Sequence, residues 1–311
     1  MRRIAFLVCV AMLGFAIASA EVIDDKSLSP GPANIGSLPD ASGGPDDFGY
    51  IFADNAEAAC SSLYSYVDIT ATGTGAGLAG VDDGHAGPFP FGFSFDFYGT
   101  TYTDFYVGSN GVVFFVDIYL GLGNVCPLPA VQGTYGVDTF MGVYHDDLEV
   151  QTNGEIYYQN FATCPVGNAG QCTVIQFHNM CDFGSTDDNM EFEVVLVDDG
   201  TIVYLYEQPV NDDASQTNGA SATVGIQGSP AATPVYAIEY SCNVASLSSG
   251  LAIAFAPPTA ITAGAPSVCA QQVTPTPSGP QPVPTATNTG LIVLVILVAA
   301  AALVLLGRRA V

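Results

Sequence analysis

Three observations predict an all-β fold: a single antiparallel β-sandwich ectodomain, jelly-roll-like, plus one C-terminal transmembrane helix. Short runs rich in Val, Ile, Tyr, Phe and Thr recur from Asp46 to Pro257, and such residues suit the pleated, half-buried surface of a sheet. Gly, Asn and Asp interrupt them at the roughly 8–12-residue spacing typical of sandwiches and barrels. No stretch in this region joins a helical period to capping residues. A region of about 210 residues is long enough for one all-β domain with a sizeable core, and no repeat divides it.

Candidate strands run in order: YSYVDIT from Tyr64, an aromatic run from Phe89, TDFYVG from Thr103, GVVFFV from Gly111, TFMGVYH from Thr139 and EIYYQN from Glu155. TVIQFHN from Thr173, EFEVVLV from Glu191, TIVYLYE from Thr201, SATVGIQ from Ser221, VYAIEY from Val235 and LAIAFA from Leu251 complete the set. Asp198-Asp199-Gly200 separates two of these runs and Ser109-Asn110-Gly111 two others; Asp-Gly and Asn-Gly supply the positive φ angles a tight hairpin requires. Phe89, Phe91, Phe93, Phe95 and Phe97 alternate, which puts all five on one face of a strand and reads as core.

The ends differ from this middle. Arg2 and Arg3 precede a short apolar run that closes on Ala18-Ser19-Ala20, the pattern of a secretory signal peptide over 1–20 with cleavage between Ala20 and Glu21. Residues 21–45 are polar and rich in Pro, Gly and Ser and read as a linker to the 46–257 domain. Residues 258–288 form a Pro- and Thr-rich stalk, too poor in large apolar groups for a core. An apolar segment over 289–307 and a short basic tail, 308–311, have the length and flanking charge of one membrane span with its basic end inside. The membrane is thus an expected partner through that span, and the bulk of the chain is expected outside the cell.

The 311 residues hold 30 acidic and five basic side chains. Arg2, Arg3, Arg308 and Arg309 lie at the apolar ends, so the exported part keeps only Lys26 and a net charge of 1 − 30 = −29. Nucleic acid is excluded as a partner, because its binding rests on Lys and Arg at phosphates. Of the eight cysteines, Cys9 leaves with the signal peptide and seven remain. In an oxidising compartment these read as bridges. The short loop PVGNAGQ between Cys164 and Cys172 makes them the best local pair. The odd thiol is assigned to Cys269 in the stalk, with a long-range bridge from it to Cys60 or Cys242 as the alternative.

Histidine supplies the usual base of neutral-pH catalysis, and His85, His145 and His178 are the three present; no G-x-S-x-G elbow accompanies them. No catalytic residue is assigned. Among paired carboxylates, Asp82-Asp83 precede Gly84 as turn chemistry. Asp146-Asp147 follow the apolar run TFMGVY without a Gly or Pro. One of that pair should lie near the core and must then be hydrogen-bonded or bound to a cation. Calcium held by Asp146 or Asp147, with help from Asp82 and Asp83, is the candidate cofactor. No other cofactor is implied.

The stretch PFPFGFSFDFYGTTYTDFYVGSNGVVFF, Pro88 to Phe115, resembles the nidogen-like extracellular β domain of bacterial surface proteins. GGPDDFGYIFADNAE upstream, and VYHDDLEV, GEIYYQN, TVIQFHN, EFEVVLVDDGTIVYLYE and SATVGIQ downstream, keep the family's order from about Gly43 to Gln227. Where bacterial relatives carry Trp, this chain has Tyr144 and Phe177. The resemblance implies an adhesive or scaffolding sandwich with no catalytic residues to transfer. VPTATNTG before the apolar span resembles the IPTL or PEP-CTERM type of sorting signal, with Thr289 where an aromatic residue is usual. The expected function is a non-enzymatic exported cell-surface protein, adhesive or structural in an extracellular layer. Its partners would be an extracellular protein, a carbohydrate ligand or further copies of itself. A secreted hydrolase using a carboxylate site and a subunit of an extracellular fibre are the alternatives.

Intact-mass measurement of exported protein should find an N-terminus at Glu21. A C-terminus upstream of Leu291 would indicate sorting, and one at Val311 in the membrane fraction would indicate a permanent anchor.

Overall fold

Every second residue of the central strands enters one core. The structure, a computed structural model, describes residues 42–258 apart from 118–122, 131–137, 167–169, 186–187 and 214. An eight-stranded antiparallel sheet has the order β1 (Ser42–Gly43), β2 (Ile51–Asp54), β14 (Leu251–Ala256), β11 (Ile202–Gln208), β10 (Met190–Val197), β9 (Cys172–Asp182), β8 (Leu148–Phe161) and β3 (Thr74–Gly75). A six-stranded antiparallel sheet has the order β13 (Val235–Cys242), β12 (Thr223–Ala232), β7 (Phe140–His145), β6 (Val112–Phe114), β5 (Thr100–Gly108) and β4 (His85–Phe97). Strands β4 to β7 and β8 to β11 are chain-order neighbours, so two meanders stand in place of the jelly-roll-like crossings expected. Ser42 and Gly43, read as part of the linker, pair with Ala53 and Phe52.

Phe192, Val194 and Leu196 of β10, Ile202, Tyr204 and Tyr206 of β11, and Leu251, Ile253 and Phe255 of β14 fill the space between the sheets. Their neighbours Val195, Val197, Val203, Leu205, Ala252, Ala254 and Ala256 face the other way into a second cluster. The large sheet is therefore buried on both faces over its central strands. Phe192 sits at the middle of an aromatic stack, with ring centroids 4.7 Å from Phe177 and 5.5 Å from Tyr144. Tyr144 and Phe177 are thus fully buried and share the Phe192 ring as neighbour. In β4, Phe91, Phe95 and Phe97 are buried as the alternation requires, while Phe89 and Phe93 are half-buried and pack against the same core. Two register shifts in the β4–β5 pair explain this partial turn away from the centre. Pro88 and Pro90 lie on β4, an edge strand, where a missing N–H costs no ladder bond.

Tyr64–Thr70, expected as a strand, is not one. It is an extended strap across the outer face of the large sheet, and side chains of that sheet satisfy its backbone. The Val67 N–H donates to Glu193 Oε1 at 3.0 Å, and the Ile69 N–H to Gln176 Oε1 at 2.8 Å. Tyr66 donates to Glu191 Oε2 at 3.3 Å, and Tyr64 donates to Glu207. β propensity read the residues correctly, but a segment bound through side chains forms no ladder. Glu193 is fully buried, and its Oε2 has no hydrogen-bond partner.

The hairpin at Asp198–Gly200 is as expected: Val197 N–H donates to Thr201 O at 2.9 Å and Gly200 has φ +88°. Cys164 and Cys172 form the expected short bridge. A second bridge, Cys126–Cys242, ties the loop after β6 to the end of β13 across 116 residues of sequence. Cys60 is also disulfide-bonded. The free thiol among the described residues is Cys181, buried in β9 with Sγ towards Glu149 O at 3.6 Å. The assignment of the odd thiol to Cys269 falls outside the described residues, and Cys242, offered as that residue's alternative partner, is bonded to Cys126 instead. No helix among the described residues is long and apolar enough to cross a membrane. The span expected at 289–307, and Ala20 and Glu21 at the signal cleavage point, fall outside them.

Two measurements probe this packing. Phe192→Ala should cost about 3–5 kcal/mol in denaturant unfolding, the usual loss for a buried aromatic ring. Burial holds the Glu193 carboxyl well above its ordinary value of 4.5, with Asp68 and Glu207 adding to the effect and the Val67 N–H opposing it. Protons are then bound more tightly in the folded state, so this contribution to stability is complete below pH 4.5 and is lost as pH rises through the raised value. In Glu193→Gln that part of the pH dependence should vanish from melting curves; a curve of unchanged slope would place the proton elsewhere.

Candidate functional site

One end of the sandwich gathers five connections: the β3–β4 loop, the β5–β6 turn, the β7–β8 turn, the β9–β10 loop and the β11–β12 loop. Gly111 holds the first three together. It has φ +69°, and a Cβ there would lie 2.0 Å from Tyr144 O, so no other residue fits. Its carbonyl accepts the N–H groups of Val143 and Tyr144 at 3.0 and 3.2 Å. The preceding Asn110, buried, donates from Nδ2 to Asp83 Oδ1 at 3.1 Å, and its Oδ1 accepts the Leu148 N–H at 3.1 Å. Ser109 Oγ accepts the Gly84 N–H at 3.0 Å.

This framework brings Asp82, Asp83 and Asp147 together. Each offers one carboxylate oxygen, and the three oxygens lie within 4.8 Å of one another. Asp147 is only 4% exposed. Asp82 Oδ1 is buried with no hydrogen-bond partner. Burial, then the charges of Asp83 and Glu149, push the Asp82 carboxyl up to about 6. Hard oxygen donors of this kind suit calcium, which takes six to eight oxygens at about 2.3–2.6 Å, some from water. Asp146 stands apart from the three: its Oδ1 accepts the Asp147 N–H at 3.0 Å, and Ser221 Oγ donates to its Oδ2. Of the Asp146–Asp147 pair, Asp147 is the member grouped with Asp82 and Asp83. Asn110, which positions the cluster, was read from sequence only as part of a turn.

Two clefts flank the cluster. One, of about 300 Å³, is lined by Glu149, Gln151, Thr152, Asn153, Cys181, Ser185 and Asn189. The other, of about 460 Å³, includes Asp182, Phe183, Ser185, Asp188, Asp212 and Asp213. They meet at Ser185. The Phe183 N–H donates to Asp147 O at 3.0 Å, which links the clefts to the carboxylate cluster. Burial pushes the Cys181 thiol up to about 12, with Glu149 and Asp188 adding to it, so at neutral pH it is a thiol rather than a nucleophilic thiolate.

The histidines do not join this end as a group. His85 Nε2 lies 2.9 Å from Asp117, and His178 Nδ1 lies 2.7 Å from Glu191 under the strap. His145 is buried, and that burial lowers its pKa to about 4.

A family described as NIDO related matches residues 57–260, about two thirds of the chain. The chain belongs to the NIDO-related family. Membership points to an extracellular domain, and the match takes in the six-stranded sheet, the eight-stranded sheet except β1 and β2, the strap and all three carboxylates of the cluster. No curated protein matches the chain, and no solved structure does.

Proposed function

We propose that this protein is a non-enzymatic exported surface protein whose NIDO-related sandwich serves adhesion or the building of an extracellular layer, and whose acidic end is ordered by calcium. The observation that carries the calcium reading is the convergence of Asp82, Asp83 and Asp147 from two connections, with one Asp82 oxygen buried and unpartnered. Residues 42–258 contain no Lys or Arg, so no side chain of the domain other than a histidine can neutralise those carboxylates. A divalent cation does so at lower cost than burying a third like charge.

The extracellular setting is supported by the family and by the bridges Cys126–Cys242 and Cys164–Cys172, which persist in oxidising surroundings. Adhesive or layer-forming work fits a rigid two-sheet body presented on a Pro- and Thr-rich stalk. The cation would act as a structural clamp, joining the β3–β4 loop to the β7–β8 turn and, through Asp147 O and Phe183 N, to the β9–β10 loop.

Calcium at 100 times its dissociation constant should add about 2.7 kcal/mol of stability by mass action. Melting curves recorded in calcium and in chelator should therefore separate. Asp147→Asn and Asp82→Asn should each remove most of the difference, whereas Asp146→Asn should retain it. Coincident wild-type curves at millimolar calcium would eliminate the clamp. Whether the protein adheres is a separate question, read by retention of cells or extracellular matrix on the immobilised full chain.

A further inference from the structure

Beside the proposed clamp, the smaller cleft is lined by polar side chains and Cys181. Gln151 is its most informative member. The residue is only 8% exposed, it lines the cleft, and its Nε2 is buried without a hydrogen-bond partner. Cys181 Sγ is close enough to the Gln151 side chain to be influenced by it, but no partner meets hydrogen-bond geometry at Nε2. A buried amide donor left unpaired is costly, and what is missing here is an acceptor. A cation cannot fill that role, since an N–H pointing at it is repulsive.

The other lining groups narrow the ligand. Asn153 and Asn189 offer both donors and acceptors, Thr152 and Ser185 offer hydroxyls, and Glu149 only accepts. The complementary molecule must accept from Gln151 and donate to Glu149 within a few ångströms, which a hydroxyl group does with one atom. It must also be uncharged or nearly so, because Asp182, Asp188, Asp212 and Asp213 line the adjoining cleft and the domain has no Lys or Arg to hold an anion. A volume of about 300 Å³ is at the small end of ligand sites and suits a single ring. Phe183, 41% exposed in the adjoining cleft, offers an apolar ring face at the shared Ser185 boundary.

We infer that the cleft lined by Glu149, Gln151, Asn153, Ser185 and Asn189 binds a neutral sugar residue, with Gln151 Nε2 donating to one of its hydroxyl oxygens and Glu149 accepting from another. This rests on the reading of an exported adhesive module and gives that module a ligand class. It assigns Gln151 and Asn189 as binding residues, and Phe183 as a stacking face for the next residue of a chain.

The test is a glycan array probed with the full chain in mild detergent and calcium, carrying neutral hexose and N-acetylhexosamine oligosaccharides beside sialylated and uronate-bearing ones. Titration of the best neutral hit by calorimetry follows. Retention of neutral glycans is expected, with acidic ones bound at least tenfold more weakly. Gln151→Leu should weaken the neutral hit at least tenfold. Asn189→Gly, which keeps the left-handed backbone at that exposed position (φ +52°) while removing the side-chain amide, should weaken it several-fold with little change in melting temperature. If Gln151→Leu fails to fold, Asn189→Gly and Asn153→Ala carry the test. Absence of any neutral glycan on the array, equal binding of acidic ones, or affinities unchanged in the rim variants would each overturn the assignment. A calcium shift in melting that survives such a failure would leave the clamp standing and remove the sugar site alone.

Discussion

The domain must bury and pair its carboxylates without a single ammonium or guanidinium group, and much of its architecture follows from that constraint. Backbone N–H groups and tyrosine hydroxyls replace the missing cations. Asp46 accepts from the N–H groups of Phe48, Gly49 and Tyr50 and from Tyr98 Oη. Asp54 accepts from the Ala56 N–H and from Tyr240 Oη. Glu155 receives the Gly77 and Leu78 N–H groups, and Glu239 the Leu128 N–H. Hydrogen bonds to a charged acceptor are stronger than neutral ones, so each of these fixes a loop against a strand. Loops that a salt bridge would anchor in another protein are here anchored by side chains reaching from the sheets. Burial still wins at Asp46, Asp54 and Glu239, whose carboxyls remain above their ordinary range.

The same constraint explains where the acidic end departs from the rest. Asp46, Asp54, Glu155 and Glu239 each reach a turn or a hydroxyl. At Asp82, Asp83 and Asp147 three carboxylates meet, and Asn110 supplies a single side-chain amide to the group. The tight Gly111 turn that makes this meeting possible also sets the start of β8, because Asn110 Oδ1 accepts the Leu148 N–H. Site and fold are thus specified by one dipeptide.

Much of this was legible in the sequence because its physics is local. Alternation in EFEVVLV and TIVYLYE marks strands with two distinct faces, Asp-Gly marks the hairpin between them, and a seven-residue loop marks Cys164–Cys172. The acidic pair after TFMGVY was legible as well, since an apolar strand that runs into two carboxylates without a turn residue needs a partner for them. What escaped was non-local. Cys126 and Cys242 lie 116 residues apart and meet only because β13 folds beside β12. The strap at Tyr64–Thr70 has strand composition, and nothing in it reveals that Glu193 and Gln176 will take its N–H groups. Asp146 and Asp147 are indistinguishable until Ser221 arrives from the start of β12 to claim the first.

A body stabilised without Lys or Arg has a further property. Between Lys26 and Arg308 the chain offers no bond to a protease that cuts after basic side chains. Trypsin-like enzymes can act on it only at its ends, however far the sandwich opens. The domain's resistance to such enzymes is therefore written into its covalent structure as well as its folding stability, and a tryptic digest would release residues 27–308 as one fragment.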